Sequence, residues 1–229
     1  MDVSPFSAHA VARGFGRCEG EGARGNWRAS RARTGDRVAI AIAHCLNVPI
    51  VLDRPDGRVE DGLLVLPKGR GGKLLTEKQF DNFILRFDFK LTSGANNGLA
   101  IRAPIKGDAA YNAIELQILD NSSDRWPNLK PYQTHGSIYG VAPAKRGFLK
   151  PVGEWNAQEV RCNGRNIHVI LNGHTILNAN LDQVTSTGKT IDGQPHPGLK
   201  NTEGHLGFLG HGDRVAFRNI RIRPLNPDQ

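Results

Sequence analysis

The sequence predicts an all-β fold, a sandwich of two antiparallel sheets, on three grounds. Short runs of alternating apolar and polar residues recur along the chain, as strands with one buried face require. Turns rich in Gly and Asn separate them, in a chain that holds 27 Gly and 13 Pro. No stretch of useful length carries the periodicity of an amphipathic helix. At 229 residues the chain is long enough for one such sandwich plus an extension.

Residues 48–52 form a short apolar strand, closed by Asp53-Arg54-Pro55-Asp56-Gly57. Residues 62–66 form the next, closed by a Pro- and Gly-rich turn, and Leu74-Leu75-Thr76 follows. The clearest alternation spans residues 83–90, with Phe83, Leu85, Phe87 and Phe89 on one face and Ile84, Arg86, Asp88 and Lys90 on the other. After a turn at residues 92–98, residues 99–103 and 114–119 are strands. Residues 121–135 are a long polar loop, and residues 137–141 a short strand. Residues 155–162 and 166–171 make a hairpin across Asn163-Gly164-Arg165, and Asn172-Gly173 turns the chain into residues 174–177. A second long loop covers residues 182–203 before the closing strands at 205–209 and 215–222.

Charge marks a boundary. Residues 1–40 hold seven Arg and no Lys, and the first Lys is Lys68. Residues 1–46 are therefore set apart as an unassigned, poorly ordered N-terminal extension, and residues 47–229 as the folded domain. A basic arm of this kind can bind nucleic acid or an anionic surface, but no basic pattern interleaved with aromatics points to a nucleic-acid module. The apolar run at residues 38–43 sits too far from Met1 for an ordinary signal peptide, and no run is long enough to span a membrane. Three cysteines, Cys18, Cys45 and Cys162, without C-x-x-C spacing argue against a disulfide framework or a zinc cluster. Cys162 reads as a small buried hydrophobe.

The strand at 114–119 carries the functional signal. Ile114, Leu116 and Ile118 point to one face, and Glu115 and Gln117 to the other, with Asp120 just beyond. A carboxylate and an amide side by side on the wet face of a curved sheet are what a sugar-binding groove needs.

These pieces form a series that resembles the 3-keto-disaccharide hydrolase family. The matching segments are Val59-Glu60-Asp61-Gly62, Asn82-Phe83-Ile84-Leu85-Arg86-Phe87-Asp88-Phe89-Lys90, Asn96-Asn97-Gly98-Leu99-Ala100-Ile101-Arg102 and Ile114-Glu115-Leu116-Gln117-Ile118-Leu119-Asp120. Gly136-Ser137-Ile138-Tyr139-Gly140, Gly153-Glu154-Trp155-Asn156 and the run from His211 to Ile222 complete it. Before His211 the chain departs from the family, with Leu209-Gly210 where a polar residue is common. The resemblance implies a concanavalin-like jelly roll and a bacterial carbohydrate-active enzyme, periplasmic or extracellular, that cleaves 3-keto-glycosides on the concave sheet face. The alternative is a non-catalytic, lectin-like carbohydrate-binding module on the same fold. An interaction protein using the Arg-rich arm is a third reading.

The chemistry follows from the substrate class. A ketone at C3 acidifies the C2 hydrogen, so a base can form an enolate that expels the C1 substituent, and water adds later. That route needs a base, a group for the enolate oxygen and an acid. Glu115 is the candidate base. Arg102 is the candidate for the keto or enolate oxygen, since a guanidinium keeps its charge and donates in a fork. His211 is the third catalytic candidate, with His135, Tyr139 and Asp120 as other sources of the acid. Asn97, Gln117, Asp120, Tyr139, His135 and Trp126 are the substrate-binding candidates, Trp126 as a stacking platform. Trp155 is read as core. A divalent metal on Glu115, Asp120, His135 and His211 stays open as a Lewis acid. The Glu-x-Gln-x-x-Asp run also looks like the Glu-x-Asp-x-x-Glu strand of jelly-roll β-glucanases. Its outer carboxylates, about 16 Å apart on a regular strand, would need a bulge to reach the roughly 5–5.5 Å of retaining hydrolysis. His9, His44, His168, His174, His196 and His205 receive no role.

Overall fold

The computed structural model describes residues 50–52, 57–69 and 71–225. The Arg-rich extension, the apolar run at 38–43, the turn at 53–56, Cys18 and Cys45 lie outside the described residues.

Among the described residues, twelve strands build two antiparallel sheets. They are β1 (Ile50–Leu52), β2 (Arg58–Glu60), β3 (Leu63–Leu66), β4 (Gly71–Phe80), β5 (Phe83–Leu91), β6 (Asn96–Ala103), β7 (Ile114–Leu119), β8 (Trp155–Asn163), β9 (Asn166–Leu171), β10 (His174–Asn180), β11 (Gly204–His211) and β12 (Val215–Pro224). One sheet has the order β1-β4-β11-β6-β7, the other β10-β9-β8-β5-β12-β3-β2. Single helical turns, α1 (Ala109–Asn112) and α2 (Leu181–Val184), sit in the connections.

Period-two patterning drives the assembly. On β5, Phe83, Leu85, Phe87 and Phe89 are buried, and Arg86, Asp88 and Lys90 are partly exposed. The inner faces meet in one core, where Phe87 lies edge-on to Phe208 at 5.3 Å and Phe208 stacks on Phe217 at 4.0 Å. Cys162 is fully buried in that core, and burial pushes its thiol pKa up. Asn172 and Gly173 both have positive φ, 51° and 86°, as the tight β9–β10 hairpin requires.

Three expectations change. Residues 137–141 are not a strand. Ile138 makes isolated bridges to Leu116 and Ala142, and Gly140 at φ 72° turns the chain away. The strand around residues 74–76 extends over Gly71–Phe80, because its exposed Glu77, Lys78 and Gln79 hide the pattern. Trp155 is half-buried on the outer face of the seven-stranded sheet, with Arg218 4.0 Å and Lys90 5.0 Å from its ring.

Candidate functional site

The outer face of the five-stranded sheet gathers the polar groups. Strand β6 pairs with β7 so that Gly98 opposes Gln117 and Ala100 opposes Glu115. Strand β11 pairs with β6 so that Leu209 opposes Gly98. By alternation Asn96, Gly98, Ala100, Glu115, Gln117, Leu209 and His211 share this face. A small apolar cluster of Leu75, Ala100, Ala103, Ala109, Ala113 and Leu209 forms its floor. Leu209, the departure from the family's pattern, is part of that floor.

Glu115 is the centre of the arrangement. Its side chain is 3% exposed and reaches over the bare backbone of Gly98, where a Cβ would stand 2.3 Å from Glu115 Oε1. There the carboxylate meets His211 Nε2 at 3.4 Å. His211 is 44% exposed, so one partner is sheltered and the other faces solvent. The Glu115 hydrogen bond holds the His211 pKa above its ordinary 6.5 against the opposing effect of burial, with Asp108 and Asp213 adding to the rise.

Neighbouring groups frame the pair. Gln117 Nε2 donates to Asn96 Oδ1 at 2.9 Å, and Gln117 Oε1 is buried with no partner among the described residues. Tyr139 N–H donates to Glu115 O at 2.9 Å, and its ring lies edge-on to Tyr132. Desolvation, helped by Tyr139, Asp192 and Asp108, raises the Tyr111 pKa. Tyr111 also packs on His196, which bonds Asp192 at 2.9 Å. Tyr111, His196 and Lys200 line an open depression of about 750 Å³ with Pro195 and Pro197.

The structure commits the other expected residues to contacts of their own. Arg102 would share its face if β6 alternated throughout. Instead Arg102 has φ 51°, beside a register shift against β11. Its buried guanidinium donates to the carbonyls of Asp81, Gly164 and Asn201, so it ties three loops together and does not face a substrate. Asn97 points inward, fully buried, with neither amide atom partnered among the described residues. Its neighbour Asn96 is the asparagine on the outer face.

His135 lies in the core and not at a rim. It stacks on Phe89 at 4.9 Å, accepts from Leu119 N–H at Nδ1 and meets Gln158 Oε1 at 2.8 Å. Burial lowers its pKa to about 4, so it is neutral near pH 7 and cannot serve as the acid at the surface. Asp120 is a turn residue that accepts from Gly94 N–H and from the Ser122 N–H and hydroxyl. Burial pushes its pKa up, but those hydrogen bonds outweigh it and leave the carboxyl below its ordinary range. Trp126 donates to Gly94 O, and Arg125 covers its ring at 4.5 Å, so that face is closed to a sugar. The four suggested metal ligands therefore do not converge; of them only Glu115 and His211 meet. Among the described residues no three His, Cys, Asp or Glu side chains form a metal-binding group. Sequence reasoning missed Asn96, Tyr111 and the Asp192–His196 pair. The alternation that placed Glu115 outward also identifies Asn96, but nothing in sequence brings residues 192 and 196 to Tyr111.

A family model described as a 3-keto-alpha-glucoside-1,2-lyase-like domain matches residues 19–223, starting ahead of residue 47. A 3-keto-disaccharide hydrolase of Bacteroides thetaiotaomicron is 29% identical over 186 residues, 69% of this chain and 63% of that protein. This chain thus spans less than two thirds of that relative's length. A crystal structure described as a candidate glycosyl hydrolase from Parabacteroides distasonis is 35% identical, with a TM-score of 0.67 over 74% of this chain and 90% of that one. A carbohydrate-binding module of Bacillus subtilis superposes with a TM-score of 0.52 at 11% identity, over 76% of this chain and 94% of that module, and shares the fold alone.

Proposed function

The chain belongs to the 3-keto-α-glucoside-1,2-lyase-like family, and from that premise we propose that it cleaves 3-keto-glycosides on the outer face of the five-stranded sheet. The observation that carries this reading is the sheltered Glu115 carboxylate lying over Gly98 against the imidazole of His211.

Glu115 takes the proton from C2 of the 3-keto sugar, and the electron pair moves onto the C3 oxygen as an enolate. The enolate reforms the ketone, a C1–C2 double bond forms and the C1–O bond breaks. The departing oxygen takes a proton from His211, whose pKa the Glu115 hydrogen bond raises. The product is a 1,2-unsaturated keto sugar, which is the lyase outcome. Addition of water at C1, with the proton returned to C2, completes hydrolysis. Arg102 is too far committed to backbone carbonyls for the enolate. Asn96 takes its place, since its Nδ2 has no partner among the described residues while its Oδ1 is held by Gln117.

The test is turnover of a 3-keto-glucoside, followed by loss of substrate and by ultraviolet absorbance of the unsaturated keto sugar, with and without chelator. Glu115→Gln keeps the shape and removes the base, so kcat is expected to fall by about 10²–10⁴-fold. Wild-type protein that leaves 3-keto-glucosides intact and yet binds glycans would replace this reading with the lectin-like one.

A further inference from the structure

The outer face of the seven-stranded sheet concentrates positive charge. Beyond residue 46 the chain has 23 Lys and Arg against 18 Asp and Glu, an excess of five. Arg86, Lys90, Arg161, Arg218, Arg221 and Arg223 share this one face with only Asp88 and Glu159 from the same three strands, so four of those five charges are gathered there. On the other sheet charges of both signs meet, with Glu115, Asp108 and Asp213 around His211 and Arg125 paired with Asp213.

The clustering is built into the register. Arg221 stands directly opposite Arg86, and Ile84 stands between Arg161 and Arg223. Like charges directly opposite one another cost a sheet stability. Arg218 and Arg221 are three residues apart and would face opposite ways on a regular strand. A register shift between them, with Asn219 at φ 52°, turns both outward. Glu159 pairs with Arg86 and Arg161, and Asp88 with Arg218, so these strands set two carboxylates against six cations on this face.

We propose that this face docks on an anionic lipid surface. The cations spread across β8, β5 and β12 and also along β5 and β12, at about 4.8 Å across strands and roughly 6.8 Å between alternate residues. A planar array of headgroups engages every row of such a grid, whereas a linear polyanion engages one stripe. Single-stranded nucleic acid also needs exposed aromatic platforms. Trp155 is the aromatic residue of these three strands on this face, and Arg218 and Lys90 cover its ring.

The experiment is co-sedimentation of the full chain with phosphatidylcholine vesicles, with and without phosphatidylglycerol, across a salt series. Binding is expected only with phosphatidylglycerol and is expected to weaken as salt rises. Arg161→Gln with Arg221→Gln should weaken it about thirtyfold, near fivefold for each charge removed. Lys106→Gln with Lys189→Gln removes the same charge elsewhere and should leave binding within about twofold once the lost net charge is screened. Equal losses from both double variants, at unchanged melting temperature, would overturn the assignment to this face. Tighter binding of heparin or of a single-stranded oligonucleotide than of phosphatidylglycerol vesicles would overturn the assignment to lipid. Turnover of 3-keto-glucosides should be unchanged in all of these variants, so the outcome is independent of the proposed catalytic role.

Discussion

Gly98 decides where the Glu115 carboxylate can go. Any side chain there would fill the space the carboxylate crosses to reach His211, and a Cβ would also stand 3.0 Å from Leu209 Cδ1. Gly98→Ala is therefore expected to displace the far end of Glu115 and leave the strand intact. Misplacement of a reacting group by about 1 Å can cost around 100-fold, so kcat for a 3-keto-glucoside should fall by that order with little change in melting temperature. A fall in melting temperature with full activity in the folded fraction would refute it. His211 gives a second prediction at the same scale. Its folded pKa is raised above 6.5, so the protonated form stabilises the folded chain below pH 6.5, and that contribution is lost as pH rises through the folded value. If His211 is the acid, kcat/KM should decline on the alkaline side with an apparent pKa above 6.5. The limb should be absent in His211→Asn; its persistence in that variant would assign the acid elsewhere.

Strand β6 shows how one irregularity reassigns a residue. Up to Ile101 the strand alternates and presents Asn96, Gly98 and Ala100 outward. At Arg102 the positive φ and the shifted register turn the guanidinium onto the carbonyls of Asp81, Gly164 and Asn201. A buried cation with its donors filled is a clamp between loops, and replacing it leaves buried acceptors without a partner. Arg102→Lys keeps the charge but cannot span three carbonyls with one fork. It should destabilise by about 3 kcal/mol, a fall in melting temperature of roughly 6–12 °C for a chain of this size. Turnover per folded molecule should change little at a temperature where the variant is folded. Loss of turnover without loss of stability would restore Arg102 to the reaction.

Across the whole molecule, the two sheets differ in what their outer faces carry. Their inner faces make a shared core of phenylalanine and aliphatic side chains, which frees each outer face to carry its own chemistry. One outer face shelters an acid–imidazole pair, and the other spreads arginines over three strands. The core is not wholly apolar. His135 and Gln158 bond one another inside it, while Asn97 Oδ1 and Nδ2 and Gln158 Nε2 are buried without a partner among the described residues. Orphaned amides of this kind cost stability when no water reaches them. Asn97→Leu should then raise the melting temperature; a fall would show that the amide is satisfied by an internal water.

Residue alternation by itself determined the sandwich, the strands that carry its core and the outward direction of Glu115 and Gln117, because a strand's side chains change face at every step. The same rule held for Cys162 as a core residue. Tertiary structure decided the rest of the site. A bulge at Arg102, the inward face of Asn97, the burial of His135 and the Arg125 cover on Trp126 each depend on contacts between residues far apart in the chain. Local pattern fixes which face a side chain leaves from, but only the partner strand and the loops around it fix what that side chain meets.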